Sequence, residues 1–453
     1  MKFWLEHKYR IAVIAVILIA AILRIRWYGN PALSIAGNDT QTYVDASHVP
    51  LFSSEIMTGR RLLTTNLVYK FLEPKDGYQI LVNGSLETSR RVLQPGFDRI
   101  TILQLIVSLL GWGALAFAVS ERIKNPGMKI LSTILILAFG FVPQIADWDS
   151  ILMSESLAFS LFALQLAILI HLIFSIYKNP DAKLEGWLAL WGLTLFFWTF
   201  VRDTNLLASL VTLGLVAVLM SFPTFRRSRS LVIALVLLIF ISLLGLMTTG
   251  ASTRSSVSIS NVYVNDILSS PNRVAIFQEM GMPAPDSPEY GPWFAEKSTS
   301  TLARFMLSHP GYPLTKIIRD FPIAFVEIKQ TYFKTPELGA SRDVLMGIGD
   351  ALHPENTTPF VMSLILLIGL GWLAYRNISL SRPWTWLALW LFLSATAAMI
   401  TSILGDTWGL NRHALFSTST YRLFMWLFAI VIMDIALDRE QIMKSGSSTS
   451  GTQ

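Results

Sequence analysis

The chain has 453 residues, of which 53% are hydrophobic and 15% charged, with a net charge of +6 and a mean hydropathy of +0.51. A soluble chain of this length carries about 25% charged residues over several domains, so a soluble multidomain protein is excluded, as are a disordered chain and a collagenous repeat. The absence of cysteine excludes disulfides and thiolate metal sites, and what remains is an all-α polytopic membrane protein whose excess Lys and Arg marks cytoplasmic loops rather than nucleic-acid binding.

A bilayer core takes about 20 apolar residues in helical form. Ten such segments are predicted, near 10–28, 99–120, 129–146, 151–176, 186–201, 204–222, 231–249, 358–376, 383–404 and 415–437. The fifth and sixth are divided at Arg202-Asp203, where a kink in one long hairpin is the other reading. The first span is expected to be retained rather than cleaved as a signal peptide, because its apolar run is long and Arg24-Ile25-Arg26-Trp27 has no small-residue cleavage site. Short connections rich in Lys and Arg, such as Arg122 to Lys129 and Arg226 to Arg229, alternate with connections holding Asp147, Asp149, Arg202, Asp203, Asp406 and Arg412. Both termini are therefore expected in the cytoplasm. Arg24 and Arg26 sit at the opposite end of span one and are expected to snorkel outward.

The resulting division is a cytoplasmic N-terminus with the first span (1–28), a first outer loop (29–98), spans two to seven (99–249), a large outer loop (250–357), spans eight to ten (358–437) and a disordered cytoplasmic tail (438–453). The two outer loops are long enough to be functional. Each holds an amphipathic stretch, 60–72 and 302–325, that either lies flat on the membrane or packs on other loops. There is no internal repeat.

Charges near a bilayer pair, line a wet cavity or do chemistry. In Asn38-Asp39-Thr40-Gln41, Asn38 is expected to cap a helix with Gln41 closing the capping box, which leaves the Asp39 carboxylate free as a functional candidate. Asp45 is a second candidate on another face of that helix. Asp147, Asp149 and Glu155 bracket the entry to span four; three acids exceed what one helix N-terminus requires. They can bind substrate or pair with arginines. Alternatively, Asp147 and Asp149 hold a divalent cation, Mg or Mn, through oxygen ligands. Arg202 either pairs with Asp203 or serves a ligand. Arg412 and Arg422 are candidates for an anionic headgroup, since guanidinium groups bind phosphate bidentately and stay charged. His413 beside them is either structural or a base. These groups gather on one membrane face, whereas a transporter sets its ionisable groups at the midplane of repeated halves.

The layout resembles the GT-C superfamily of integral membrane glycosyltransferases, and within it the bacterial protein mannosyltransferase and aminoarabinose transferase group. Gly37-Asn38-Asp39-Thr40-Gln41-Thr42-Tyr43 looks like the Asp-Ser-x-x-Tyr opening of that family's first outer loop, although the family often has two adjacent acids there. Gln104 to Ala114 is similar to its Gln-bearing second span. Pro143 followed by Trp148 to Leu157, with Ser154-Glu155-Ser156-Leu157, is the most specific match. Arg202-Asp203 and Asn411-Arg412-His413-Ala414-Leu415 fit the Arg after the fifth span and the terminal Arg-His/Tyr motif. Asn261 to Pro283 and Ser308 to Tyr312 are similar to outer-loop sequences of bacterial members.

The resemblance implies a bacterial plasma-membrane enzyme with its site on the outer face. Its partners would be a polyprenyl-phosphate-linked sugar donor, a glycan, lipid or protein acceptor, and membrane lipids, with no nucleic acid. Asp39 would be the general base of an inverting single displacement. Arg412 and Arg422, with Arg202 behind them, would stabilise the charge on the phosphate. Asp147, Asp149 and Glu155 would bind sugar hydroxyls, orient arginines or hold a cation. Tyr43, Trp148 and Trp408 would stack on sugar faces or anchor at the interface. Two other classes remain. One is an O-antigen ligase or polymerase type of transferase leaning on Arg254 and His309. The other is a non-enzymatic flippase for a lipid-linked sugar.

Overall fold

The structure, a computed structural model, describes residues 2–84, 91–252, 254–326, 339–378 and 380–448. In chain order its α-helices are Lys2–Trp27 (α1), Thr40–Ser47 (α2), Glu55–Thr58 (α3), Leu63–Leu72 (α4), Asp98–Ser120 (α5), Pro126–Phe141 (α6), Pro143–Ala146 (α7), Glu155–Lys178 (α8), Glu185–Thr199 (α9) and Asp203–Ser221 (α10). They continue with Arg229–Ala251 (α11), Ser255–Val262 (α12), Pro271–Glu279 (α13), Tyr290–Ser308 (α14), Gly311–Ala324 (α15), Gly339–Leu352 (α16), Thr358–Tyr375 (α17), Ser381–Gly405 (α18), Leu410–His413 (α19) and Leu415–Ser448 (α20).

Among the described residues seven helices are long and apolar enough to cross a membrane: α5, α8, α10, α11, α17, α18 and α20 as far as Arg439. A bent pair, α6 and residues Pro143–Ser150 at 50° to each other, is apolar enough to do so together, as a broken span or a re-entrant loop. The chain is thus an all-α, multi-pass membrane protein. The segment expected to run unbroken through 129–146 breaks where Val142 is extended, with ψ at 158°. The cause is Pro143, which has no N–H to donate and disfavours helical geometry in the residue before it. Arg202 is likewise extended between α9 and α10, so two helices stand where one kinked hairpin was the other reading. α9 has 15 residues. The last helix continues to Ser448, past residue 438, where the disordered tail was expected to begin.

α8 lies at the centre, with most of its side chains buried. It packs closely on α5 because Gly111 brings the two backbones together: a Cβ there would stand 2.3 Å from the Ser160 carbonyl oxygen. Gly140 does the same for α6, whose backbone lies against the Trp112 ring. α6 begins with Asn125 as its cap, accepting from the Gly127 and Met128 N–H groups, followed by Pro126 in the first turn.

The two long connections are folded. In the first, Leu33–Ser34 (β1) pairs antiparallel with Val92–Leu93 (β4), and Ala36–Gly37 (β2) pairs in parallel with Asn83–Gly84 (β3). α4 does not lie free on a membrane. Its buried side is polar, with Thr64, Thr65, Asn66 and Tyr69, and it packs against α2. In the second, residues 302–325 form two helices, α14 and α15, separated at His309-Pro310. That connection has a core of its own around Tyr263, Phe277, Trp293 and Phe305. A buried ion cluster adjoins it: Lys316 lies 3.0 Å from Asp266 and 2.8 Å from Asp320, and Arg319 bonds both acids.

Candidate functional site

Two short segments are drawn together by backbone bonds. Ile35 forms an isolated parallel bridge with Ile151; its N–H donates to the Ser150 carbonyl at 2.8 Å and its carbonyl accepts from Leu152 at 3.0 Å. This fixes the Asp39 motif beside the N-terminus of α8. The Tyr43 hydroxyl completes the join, accepting from the Ser154 N–H at 3.2 Å.

Asp39, rather than Asn38, occupies the cap position of α2, yet its side chain makes no cap bond. The expected capping box is absent, because Gln41 donates instead to Asp45 at 2.9 Å. The Asp39 carboxylate turns to Arg412, 3.0 Å away, and lies 3.6 Å from Arg61. Arg61 is itself held by the Thr42 hydroxyl at 2.7 Å and lies over the Tyr43 ring.

Arg412 is carried by the turn between α18 and α20. Asp406 shapes that turn, accepting from the Thr407 and Trp408 N–H groups at 2.7 and 2.9 Å and from Asn261 at 3.0 Å. Gly409 takes a positive φ of 59° just before α19, a geometry open to glycine without strain. Glu155, 1% exposed, then fixes the guanidinium: one carboxylate oxygen lies 2.8 Å from Arg412 and 3.5 Å from Arg202. The other oxygen has no hydrogen-bond partner among the described residues. Burial opposes the charge on Arg412, but Glu155, Tyr43 and Asp39 outweigh it and hold the guanidinium firmly protonated. His413 goes the other way. Burial first, then Arg202, push its imidazole below the ordinary value, so its 3.4 Å contact with Asp406 is made by a neutral ring at neutral pH.

These groups line a cavity of about 430 Å³. Asp39, Arg202, Arg412 and His413 all face it, together with Arg60, Arg61, Asp203, Arg254 and Asp406. Five guanidiniums against three carboxylates make it a cationic pocket, suited to an anion. Arg202 and Asp203 do not pair with each other: Asp203 takes Arg254 at 3.0 and 3.1 Å. Arg254 also donates to the Met57 and Gly59 carbonyls, strapping the second long connection to the first. Arg60 is exposed.

Asp45, Asp147, Asp149 and Arg422 lie apart from the cavity. Asp45 is exposed and bonded to Gln41. Arg422 is buried but donates to the Pro354 and Phe325 carbonyls at 3.1 and 2.9 Å. Asp149 pairs with Arg24 at 3.1 Å and accepts from Ser156 at 2.6 Å. Arg24 therefore does not snorkel; it is 4% exposed. With both Asp149 oxygens engaged, Asp147 and Asp149 make a poor ligand pair for a cation. Among the described residues no three His, Asp or Glu side chains come together as a metal site. Trp148 is buried in the main core, whereas Trp408 is exposed. Sequence reasoning missed Arg60 and Arg61 as site residues; their adjacency was read as one edge of an amphipathic helix.

No family model matches the chain, and no curated protein does. Among solved structures it is similar to the archaeal oligosaccharyltransferase AglB from Archaeoglobus fulgidus, in complex with an inhibitory peptide and a dolichol-phosphate. Identity is 12% and the TM-score 0.48, over 99% of this chain and 53% of that one. The Archaeoglobus fulgidus oligosaccharyltransferase in its apo form gives 11% identity and a TM-score of 0.47, over 97% of this chain and 52% of that one. Its complex with Zn and sulfate gives 12% and 0.46, over 96% and 51%. The chain spans about half the length of these structures.

Proposed function

We propose that the protein is a membrane glycosyltransferase of the GT-C type, moving a sugar from a polyprenyl-phosphate donor to an acceptor hydroxyl at the outer face of a bacterial plasma membrane. The observation that carries this reading is the Asp39 carboxylate opening on a cavity lined by five arginines. The order of the motifs along the chain supports it further. The acceptor hydroxyl attacks the anomeric carbon and the bond from that carbon to the phosphate oxygen breaks. Asp39 takes the hydroxyl proton, and polyprenyl phosphate leaves with the bonding pair. The leaving group needs no proton, so the demand falls on cations. Arg412, with Arg202 and Arg60, meets the charge gathering on the phosphate. A single displacement inverts the anomeric carbon.

Arg412 plays both parts. In the resting site it pairs with Asp39; the donor phosphate competes for the same guanidinium and thereby releases the carboxylate as base. Arg254 also lines the cavity, which favours the ligase-type reading, but His309 is exposed, does not line it and stacks on Phe305, and Arg254 is engaged by Asp203 and the Met57 and Gly59 carbonyls.

The test is transfer from a panel of radiolabelled polyprenyl-phosphate sugars by the full chain in nanodiscs, wild type beside Asp39→Asn, with and without EDTA. Wild type transfers and Asp39→Asn loses about 10²- to 10⁴-fold, the range for a positioned base. Undiminished turnover in Asp39→Asn overturns the assignment. Loss of activity in EDTA shows that a cation takes part.

A further inference from the structure

A second cavity lies at the other end of the bundle. Glu155 begins α8 at the Asp39 site, and Phe174, Tyr177 and Lys178 in its last turns line a cavity of about 1070 Å³. The 24 residues of α8 separate the two by roughly 36 Å, at 1.5 Å per residue. The ends of α5, α10 and α17 and the start of α18 supply the remaining walls. The volume stands at the upper end of the range of about 300–1000 Å³ found for small-molecule sites.

Its lining includes Arg122, Lys178 and Arg382 and no acidic residue. Some basic residues at this end find carboxylates: Lys124 pairs with Asp438 at 2.6 Å, Arg10 with Glu121 and Arg229 with Glu185. The three cavity cations pair with none among the described residues. Arg122 is part-buried; it meets the His171 ring nitrogen at 3.1 Å and lies over the Phe174 ring at 5.2 Å. Burial pushes its guanidinium below the ordinary value, so an anion here would relieve an unfavourable charge. Arg382 donates to the Asn377 side chain. Three cations around an aromatic-walled cavity without a carboxylate have the chemistry of a phosphate site.

Its position points to a lipid. α17 exposes an apolar stripe, Val361, Ile365, Ile368 and Trp372, that ends at Tyr375 on the cavity rim. Aromatic residues at helix ends favour the headgroup level of a bilayer. We propose that this cavity binds the phosphate headgroup of an anionic glycerophospholipid, with the acyl chains along the exposed face of α17, on the membrane side opposite the Asp39 cavity. The proposal rests on the membrane-spanning character of the bundle and stands whether or not the protein transfers sugars.

The test is native mass spectrometry of the full chain in a neutral detergent, delipidated and titrated with phosphatidylglycerol or phosphatidylcholine, with and without millimolar inorganic phosphate. Phosphatidylglycerol is retained in preference to phosphatidylcholine, and inorganic phosphate does not displace it. Removing one cation weakens phosphatidylglycerol binding about fivefold, the worth of one basic residue at an anionic membrane surface. Arg122→Gln with Arg382→Gln removes two. Lys178→Gln with Arg382→Gln alters only exposed positions and guards against misfolding, while Arg304→Gln, exposed and lining neither cavity, leaves binding unchanged. Equal retention of both lipids, or full retention by both double variants, overturns the proposal. Displacement by inorganic phosphate also overturns it and assigns the site to a soluble anion.

Discussion

Glu155 holds Arg412 and Arg202 with one buried oxygen. Removing one partner of a buried pair costs about 3–5 kcal/mol, because the other is left uncompensated. Glu155→Gln is therefore expected to lower the unfolding temperature of the detergent-solubilised protein, and Glu155→Gln with Arg412→Gln to recover much of that loss while remaining inactive. An unchanged unfolding temperature in the single variant would show that the pair carries no stability. His353 gives a pH dependence. Its Nε2–H donates to the Phe139 carbonyl at 3.1 Å, and Nδ1 is buried without a partner among the described residues. Burial, then Arg422, push its pKa down to about 3. An unfolded histidine titrates near 6.5, so below that pH the unfolded chain takes up a proton that the folded chain refuses. Stability is complete above pH ~6.5 and falls at up to about 1.4 kcal/mol per unit towards pH 3. His353→Asn is expected to flatten the slope of unfolding temperature between pH 7 and pH 5.

At the scale of elements, the packing of α5 on α8 depends on Gly111. Gly111→Ala sets a Cβ 2.3 Å from a backbone oxygen that cannot rotate away, so the helices must separate. The expected cost is about 1–3 kcal/mol, as for other overpacked cores, read as a lower unfolding temperature. Gly214→Ala, with open space around its Cβ, is the control. The same elements show what a sequence reveals. Asp39, Glu155, Arg202, Arg412 and His413 were legible because charges at helix ends stand out against apolar spans, and they do gather. Arg422 was not: its depth in α20 was legible, but the Pro354 and Phe325 carbonyls it serves come from distant connections. The Arg24–Asp149 pair and the Ile35–Ile151 bridge were hidden for the same reason. The break at Pro143 was readable from proline chemistry, yet the apolar run on both sides masked it.

For the whole molecule, the Arg254–Asp203 pair joins the folded second connection to the bundle at the cavity mouth. Arg254→Gln is expected to raise hydrogen exchange across 255–262 without altering exchange in α8, and Asp203→Asn to do the same. A uniform rise across the chain would instead mean global destabilisation. α9 has a different consequence. Its 15 residues reach about 22 Å, short of a hydrocarbon core of about 30 Å. Trp187, Leu190 and Leu193 are exposed along it, so lipid must meet that helix directly. A span this short is accommodated by thinning the bilayer beside it or by snorkelling of flanking residues. Because α9 ends three residues before Arg202, such thinning would fall next to the cationic cavity. A phosphate carried by a membrane lipid would there sink towards the guanidiniums by following the surface, without its chain leaving the hydrocarbon.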